Sequence, residues 1–141
     1  MNRFIQIIRY ILIFIFAITL FNKLFDYAAF KQQLFLSPLI PPSYMGLIAI
    51  LTITFESAIL IFLIIDKYNM YGFLLSSFLL SLFGFYLLFL VVNFKFNKPC
   101  GCGFIFSFLS YSQHIIFNFS FSLLSSLIIL LNRKWISPLP Q

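Results

Sequence analysis

Charged residues cut the chain into long apolar stretches. Five runs without Asp, Glu, Lys or Arg cover residues 10–22, 32–55, 57–65, 68–94 and 99–132. A helix needs roughly 20 apolar residues to cross the hydrocarbon core of a bilayer, so residues 70–92 read as one span and 113–131 as another. Residues 44–65 form a third, interrupted only by Glu56, and Pro38, Pro41 and Pro42 keep a helix from running into it from the N-terminal side. The run 10–22 is too short alone, but 4–22 suffices once Arg9 snorkels to the interface. Arg3 and Arg9 ahead of an apolar stretch also look like a signal peptide. No small-residue cleavage site follows promptly, and Asn22-Lys23 ends such a peptide poorly, so the segment reads as a retained helix. A short interfacial helix is expected over 27–36, stopped by Ser37-Pro38. The predicted fold class is all-α: one integral membrane domain, 1–141, built as a four-helix transmembrane bundle.

Composition supports this reading. Hydrophobic residues make up 62% of the 141 positions and charged residues 9%, against roughly a quarter charged in soluble domains. A soluble core of this length cannot hide so much apolar surface, and disordered chains are charge-rich and poor in aromatics. The formal net charge is +6, but the basic residues are scattered, so nothing points to nucleic acid. With four spans, Arg3, Arg9, Lys67, Arg133 and Lys134 share one side and Lys23, Lys31, Lys95 and Lys98 the other. Five against four places both termini in the cytoplasm by the positive-inside rule, with the connection 93–112 outside.

That connection carries the sharpest chemical feature, Cys100-Gly101-Cys102, the only cysteines in the chain. One intervening residue allows only a tight, strained ring, which Gly101 eases and which is easier to reduce than an ordinary disulfide. Such a bond suits exchange better than permanent stapling. Two unrelated thiols, or a soft-metal site, are the competing readings. Metal is disfavoured because a closed site wants about four ligands and only His114 stands nearby as a third, so no metal is assigned. His114, the single histidine, opens the last span on the cysteine side, and Asn118 follows one turn later on the same face. An amide there can steer the imidazole, and the imidazole can take a proton from a thiol; on spacing alone, an interfacial histidine that caps or wets the helix end is the stronger reading.

Glu56 lies near the middle of its span, where a carboxylate costs roughly 3 kcal/mol on insertion scales. It needs a partner or a task. Candidate partners are Arg9, Lys23 and the Thr52, Thr54 and Ser57 hydroxyls; the tasks are a structural contact, a proton relay or a quinone-facing group. Lys23 and Asp26, three residues apart at the end of the first span, are placed to pair on one face, and Lys23 is also placed to reach into the bundle.

Taken in order, Asn22-Lys23-Leu24-Phe25-Asp26, Phe30, Leu36-Ser37-Pro38-Leu39-Ile40-Pro41 and the intramembrane Glu56 resemble the MauE/DoxX group of four-helix membrane proteins. Pro99-Cys100-Gly101-Cys102-Gly103 and Gln113-His114-Ile115-Ile116-Phe117-Asn118 are similar to the C-x-C-G and H-x-x-x-N signatures of its methylamine-utilisation, MauE branch. The resemblance spans about 11–130. It departs at Ile53, where relatives often carry a proline, and at Phe104, where a second glycine is common. It implies a multi-pass protein of the bacterial cytoplasmic membrane that handles disulfides outside it with a thioredoxin-like or other extracytoplasmic thiol partner. A quinone is the second partner that the DoxX relatives suggest; beyond that the cofactor is unknown. Two function classes stand. One is a thiol–disulfide relay, a quinone-linked oxidoreductase component in which Cys100, Cys102 and His114 do the chemistry and Asn118, Glu56, Lys23 and Asp26 support it. The other is a non-catalytic membrane subunit that anchors or assembles a partner.

Overall fold

A computed structural model describes residues 3–35, 37–94 and 110–132. Every regular element among them is helical: α1 (Arg3–Phe25), α2 (Tyr27–Phe35), α3 (Met45–Ile64), α4 (Asn69–Phe94) and α5 (Tyr111–Leu131). Single 3-10 turns, Pro42–Tyr44 and Asp66–Tyr68, lead into α3 and α4. The four long helices are each long and apolar enough to span a membrane. α1 runs on past Lys23 to Phe25 because, as shown below, Lys23 turns inward and does not mark the water boundary.

The bundle buries a mixed seam of side chains from all four spans. Ile5, Ile8, Leu12 and Phe16 of α1 meet Ile59 and Leu63 of α3, Phe73, Leu79 and Leu80 of α4, and Ile128 of α5. Outside the seam many large apolar residues face away: Phe14, Phe78, Phe85 and Leu123 are all more than half exposed. In water that surface would aggregate; against lipid tails it is the expected coat, since hydrophobicity no longer distinguishes inside from outside.

What then holds helices together is close packing and polar contact, and α4 with α5 illustrates both. Ser77 Oγ lies 2.7 Å from Ser126 Oγ and 3.2 Å from Ser122 Oγ, and Ser81 Oγ lies 2.6 Å from Ser122 Oγ. Ser122 Oγ donates to the Ser77 carbonyl at 2.9 Å, and Ser76 Oγ donates to Ser125 Oγ at 3.4 Å. A step of four along α4 matches a step of four backwards along α5, which is an antiparallel register. One turn further Gly84 faces Phe119, whose ring atoms would lie 3.1–3.3 Å from an added Cβ. Phe119 also meets Phe85 edge-on at 5.1 Å between centroids.

At the other end of α4, Gly72 packs on the last turn of α3. A Cβ there would come within 2.8 Å of the Leu63 backbone nitrogen and 2.9 Å of its side chain. Backbone cannot yield as a ring can. Gly72→Ala is therefore expected to destabilise the bundle by about 1–3 kcal/mol, the usual cost of overpacking, and Gly84→Ala by less. The measurement is the loss of helicity on titrating denaturing detergent into purified protein; equal midpoints for the two variants would contradict the packing described.

Candidate functional site

Two basic residues of α1 face into the bundle, and they solve the problem of a charge in hydrocarbon differently. Arg9 is 6% exposed. Its Nε donates to the Leu63 carbonyl at 2.5 Å and its Nη2 to the Ile64 carbonyl at 2.6 Å, while Nη1 reaches Asp66 Oδ1 at 2.5 Å. These carbonyls belong to the last turn of α3, where they lack intrahelical donors and where the helix dipole favours a cation. Arg9 thus caps α3 at the end of the bundle and is not the partner of Glu56.

Lys23 is. Its Nζ donates to Glu56 Oε1, with lysine and glutamate side chains only 9% and 4% exposed. From Arg9 to Lys23 α1 rises about 21 Å, whereas from Leu63 back to Glu56 α3 rises only about 10 Å. The two side chains close the difference, so the ammonium is drawn inward, opposite to the usual snorkelling direction. Two aromatic rings complete its surroundings: Phe30 of α2, 5.2 Å from the ammonium to the ring centroid, and Phe83 of α4, at 5.6 Å. Both distances lie in the cation–π range. Four helices therefore meet at one charge.

Asp26 does something other than pair with Lys23. Its Oδ1 accepts the Ala29 N–H at 3.1 Å, and its carbonyl accepts the Phe30 N–H at 3.0 Å. It is the N-cap of α2, satisfying donors that a helix start leaves open. By starting α2 immediately after α1, Asp26 brings Phe30 over Lys23. The far end of α2 is fastened as well: Tyr86 Oη donates to Ser37 Oγ at 2.5 Å, and Tyr86 lies one turn beyond Phe83 on α4.

His114 sits in the first turn of α5 and is 3% exposed. A capping box fixes that turn: Ser110 Oγ accepts the Gln113 N–H at 3.4 Å, Gln113 Oε1 accepts the Ser110 N–H at 2.9 Å, and the His114 N–H reaches the Ser110 carbonyl at 3.0 Å. Asn118, half-buried, follows one turn later on the same face. The antiparallel register places His114 about 9 Å along the bundle axis from the level of Phe83, towards the end where α4 stops and α5 starts. Cys100 and Cys102 fall between those helix ends and lie outside the described residues. Among the described residues no three His, Cys, Asp or Glu side chains gather to hold a metal ion.

The sequence model of the family described as "Methylamine utilisation protein MauE" matches residues 1–131. The chain belongs to the MauE family. No curated protein and no solved structure matches it. Membership makes it a membrane protein of a family tied to methylamine utilisation, in agreement with the four spans.

In the sequence of this MauE-family chain Glu56 and Lys23 stand out as candidates, but Phe30 and Phe83 do not stand out as their walls. Phe30 carried a signal, its place in the Asn22–Phe30 pattern; Phe83 carried none among 22 phenylalanines. Removing one member of a buried pair strands the other, a loss of about 3–5 kcal/mol. Lys23→Met and Glu56→Met singly are thus expected to lower the folded yield sharply, and the double variant Lys23→Met, Glu56→Met to recover much of it. Detergent denaturation midpoints of the three variants check this; strictly additive losses would show that the two residues do not act as a pair.

Proposed function

We propose that this MauE-family protein is a thiol–disulfide relay of the bacterial cytoplasmic membrane, exchanging with an extracytoplasmic thioredoxin-like protein through Cys100 and Cys102. The observation that carries the reading is the position of the chain's one histidine. It is buried in the first turn of α5, at the bundle end from which the segment 95–109 departs and returns.

The exchange balances without a further reactant. The thiolate of one cysteine attacks the partner's disulfide, forming a mixed disulfide and releasing a partner thiolate, which takes up a proton. The second cysteine then displaces the partner sulfur. The products are a Cys100–Cys102 disulfide and a partner dithiol, two electrons and two protons having passed to the partner. The reverse sequence reduces the C-x-C ring, which relief of its strain favours. Attack needs the thiolate, and an ordinary thiol is mostly protonated at neutral pH. In this reading His114 accepts that proton and Asn118, on the same face, orients the ring.

Charge supports the side of the membrane that this reading needs. Arg9 and Lys23 both face the bundle, which leaves Arg3, Lys67, Arg133 and Lys134 against Lys31, Lys95 and Lys98. The positive-inside excess still favours cytoplasmic termini and an oxidising compartment for the cysteines. Alkaline phosphatase fused after Lys98 is expected to be active, and fused after Lys67 or Lys134 inactive; the opposite pattern would put the cysteines in a reducing compartment and end this reading.

The chemistry has its own test. Replacing Cys100 or Cys102 with Ser should abolish exchange, and one of the two variants should accumulate a mixed disulfide. His114→Ala should slow alkylation of the reduced thiols at pH 7 and much less at pH 9, where solvent deprotonates them. Alkylation rates across that range, with and without His114, are the measurement. An unchanged profile removes histidine from the step, and full function in the Cys100→Ser, Cys102→Ser double variant removes the relay.

A further inference from the structure

Glu56 makes one contact too few. Oε1 is held by Lys23, whereas Oε2 is buried and has no hydrogen-bond partner among the described residues. A carboxylate offers about four acceptor sites, and buried polar atoms in native proteins are almost always satisfied. The Nδ2 of Asn22, a donor one residue before Lys23, is likewise buried without a partner among the described residues. The surroundings offer no remedy: Phe30 and Phe83 present ring faces to Lys23, and the hydroxyls nearest along α3 are engaged, Thr52, Thr54 and Ser57 with the Ile48, Ile50 and Ile53 carbonyls, each at 2.8 Å.

We infer that Glu56 Oε2 is a binding site for one neutral hydroxyl donor at the Lys23–Glu56 pair, where side chains of α1, α2, α3 and α4 meet. Charge sets the class. Lys23 already balances Glu56, so a cation would leave a net positive charge in hydrocarbon and an anion a net negative one. A neutral O–H adds no charge and gives Oε2 the donor it lacks. Water and the hydroxyl of a membrane-dissolved alcohol or phenol share this chemistry. The site lies inward of His114 and the cysteine-bearing end, and it stands or falls independently of thiol exchange.

The chain offers a direct probe, because its three acidic residues are Asp26, Glu56 and Asp66. Glu56 is the only glutamate, so protein made with glutamate carrying carbon-13 at the carboxyl carbon has one labelled glutamate site. In full-length protein in lipid bilayers, solid-state magnetisation transfer from water protons to that carbon tests for water. Titration with 4-ethylphenol, followed by the shift of the same resonance, tests for a membrane-dissolved hydroxyl, and Glu56→Gln assigns the signal by its loss. Rapid transfer from water with no response to the phenol identifies bound water. A saturable shift identifies a site for hydroxylated amphiphiles. A resonance that receives nothing from water and does not move with the phenol overturns the inference.

Discussion

A charge cannot enter hydrocarbon alone, and the arrangement of α1 against α3 follows from that constraint. α1 carries Arg9 and Lys23 into the bundle and α3 carries Glu56, each costing roughly 3 kcal/mol if left unpaired at the centre of a span. Arg9 is answered by the carbonyls that α3 leaves open at its end, Lys23 by the carboxylate near the middle of α3. Two fixed points at different heights determine the depth and the rotation of one helix against another. No apolar contact has that power in lipid, where one leucine is as well placed against a tail as against a neighbour.

α4 and α5 are joined by a different physics. Their polar contacts are hydroxyl to hydroxyl or hydroxyl to carbonyl, with close approach at Gly84. Each intramembrane hydrogen bond of this kind contributes only about 0.6 kcal/mol on average. The ladder therefore works by number and register: Ser77 and Ser81 on one helix, Ser122 and Ser126 on the other, so that sliding by a residue breaks all of them. The bundle thus combines one charge-pinned pair of helices with one hydroxyl-zipped pair. Phe73, Ile59, Leu12 and Ile128 pack between them.

The parts that were legible in the sequence are those the bilayer itself dictates. Its thickness sets helix length, so uncharged runs gave the four helices, and its low polarity makes Glu56 conspicuous. The Lys23–Asp26 pairing is instructive because the spacing was right and the structure differs. An exposed pair three residues apart on one helix contributes a few tenths of a kcal/mol, whereas Glu56, already out of water, gains far more from a cation. Lys23 goes to the partner with the greater need, and Asp26, freed, caps α2 instead. The serine ladder had a readable period of four on both helices, but serine is common enough in spans that only the antiparallel pairing gives that period meaning. Phe83 could not be singled out at all: a wall is defined by what stands in front of it.

The same energetics separates the roles of Glu56 and His114 in the proposed relay. A proton acceptor for a thiol must change its charge without breaking the fold. Were Glu56 to gain a proton, the Lys23 ammonium would be left as an uncompensated charge between Phe30 and Phe83, in the setting where stranding one member of a pair costs most. In the proposed relay that part falls to His114 in the first turn of α5, about 9 Å along the bundle axis from the level of Phe83, towards the end where α4 stops. The polar groups of this bundle therefore divide by role: the Lys23–Glu56 pair holds α1 against α3, and the proposed relay places its proton step outside that pair, at His114.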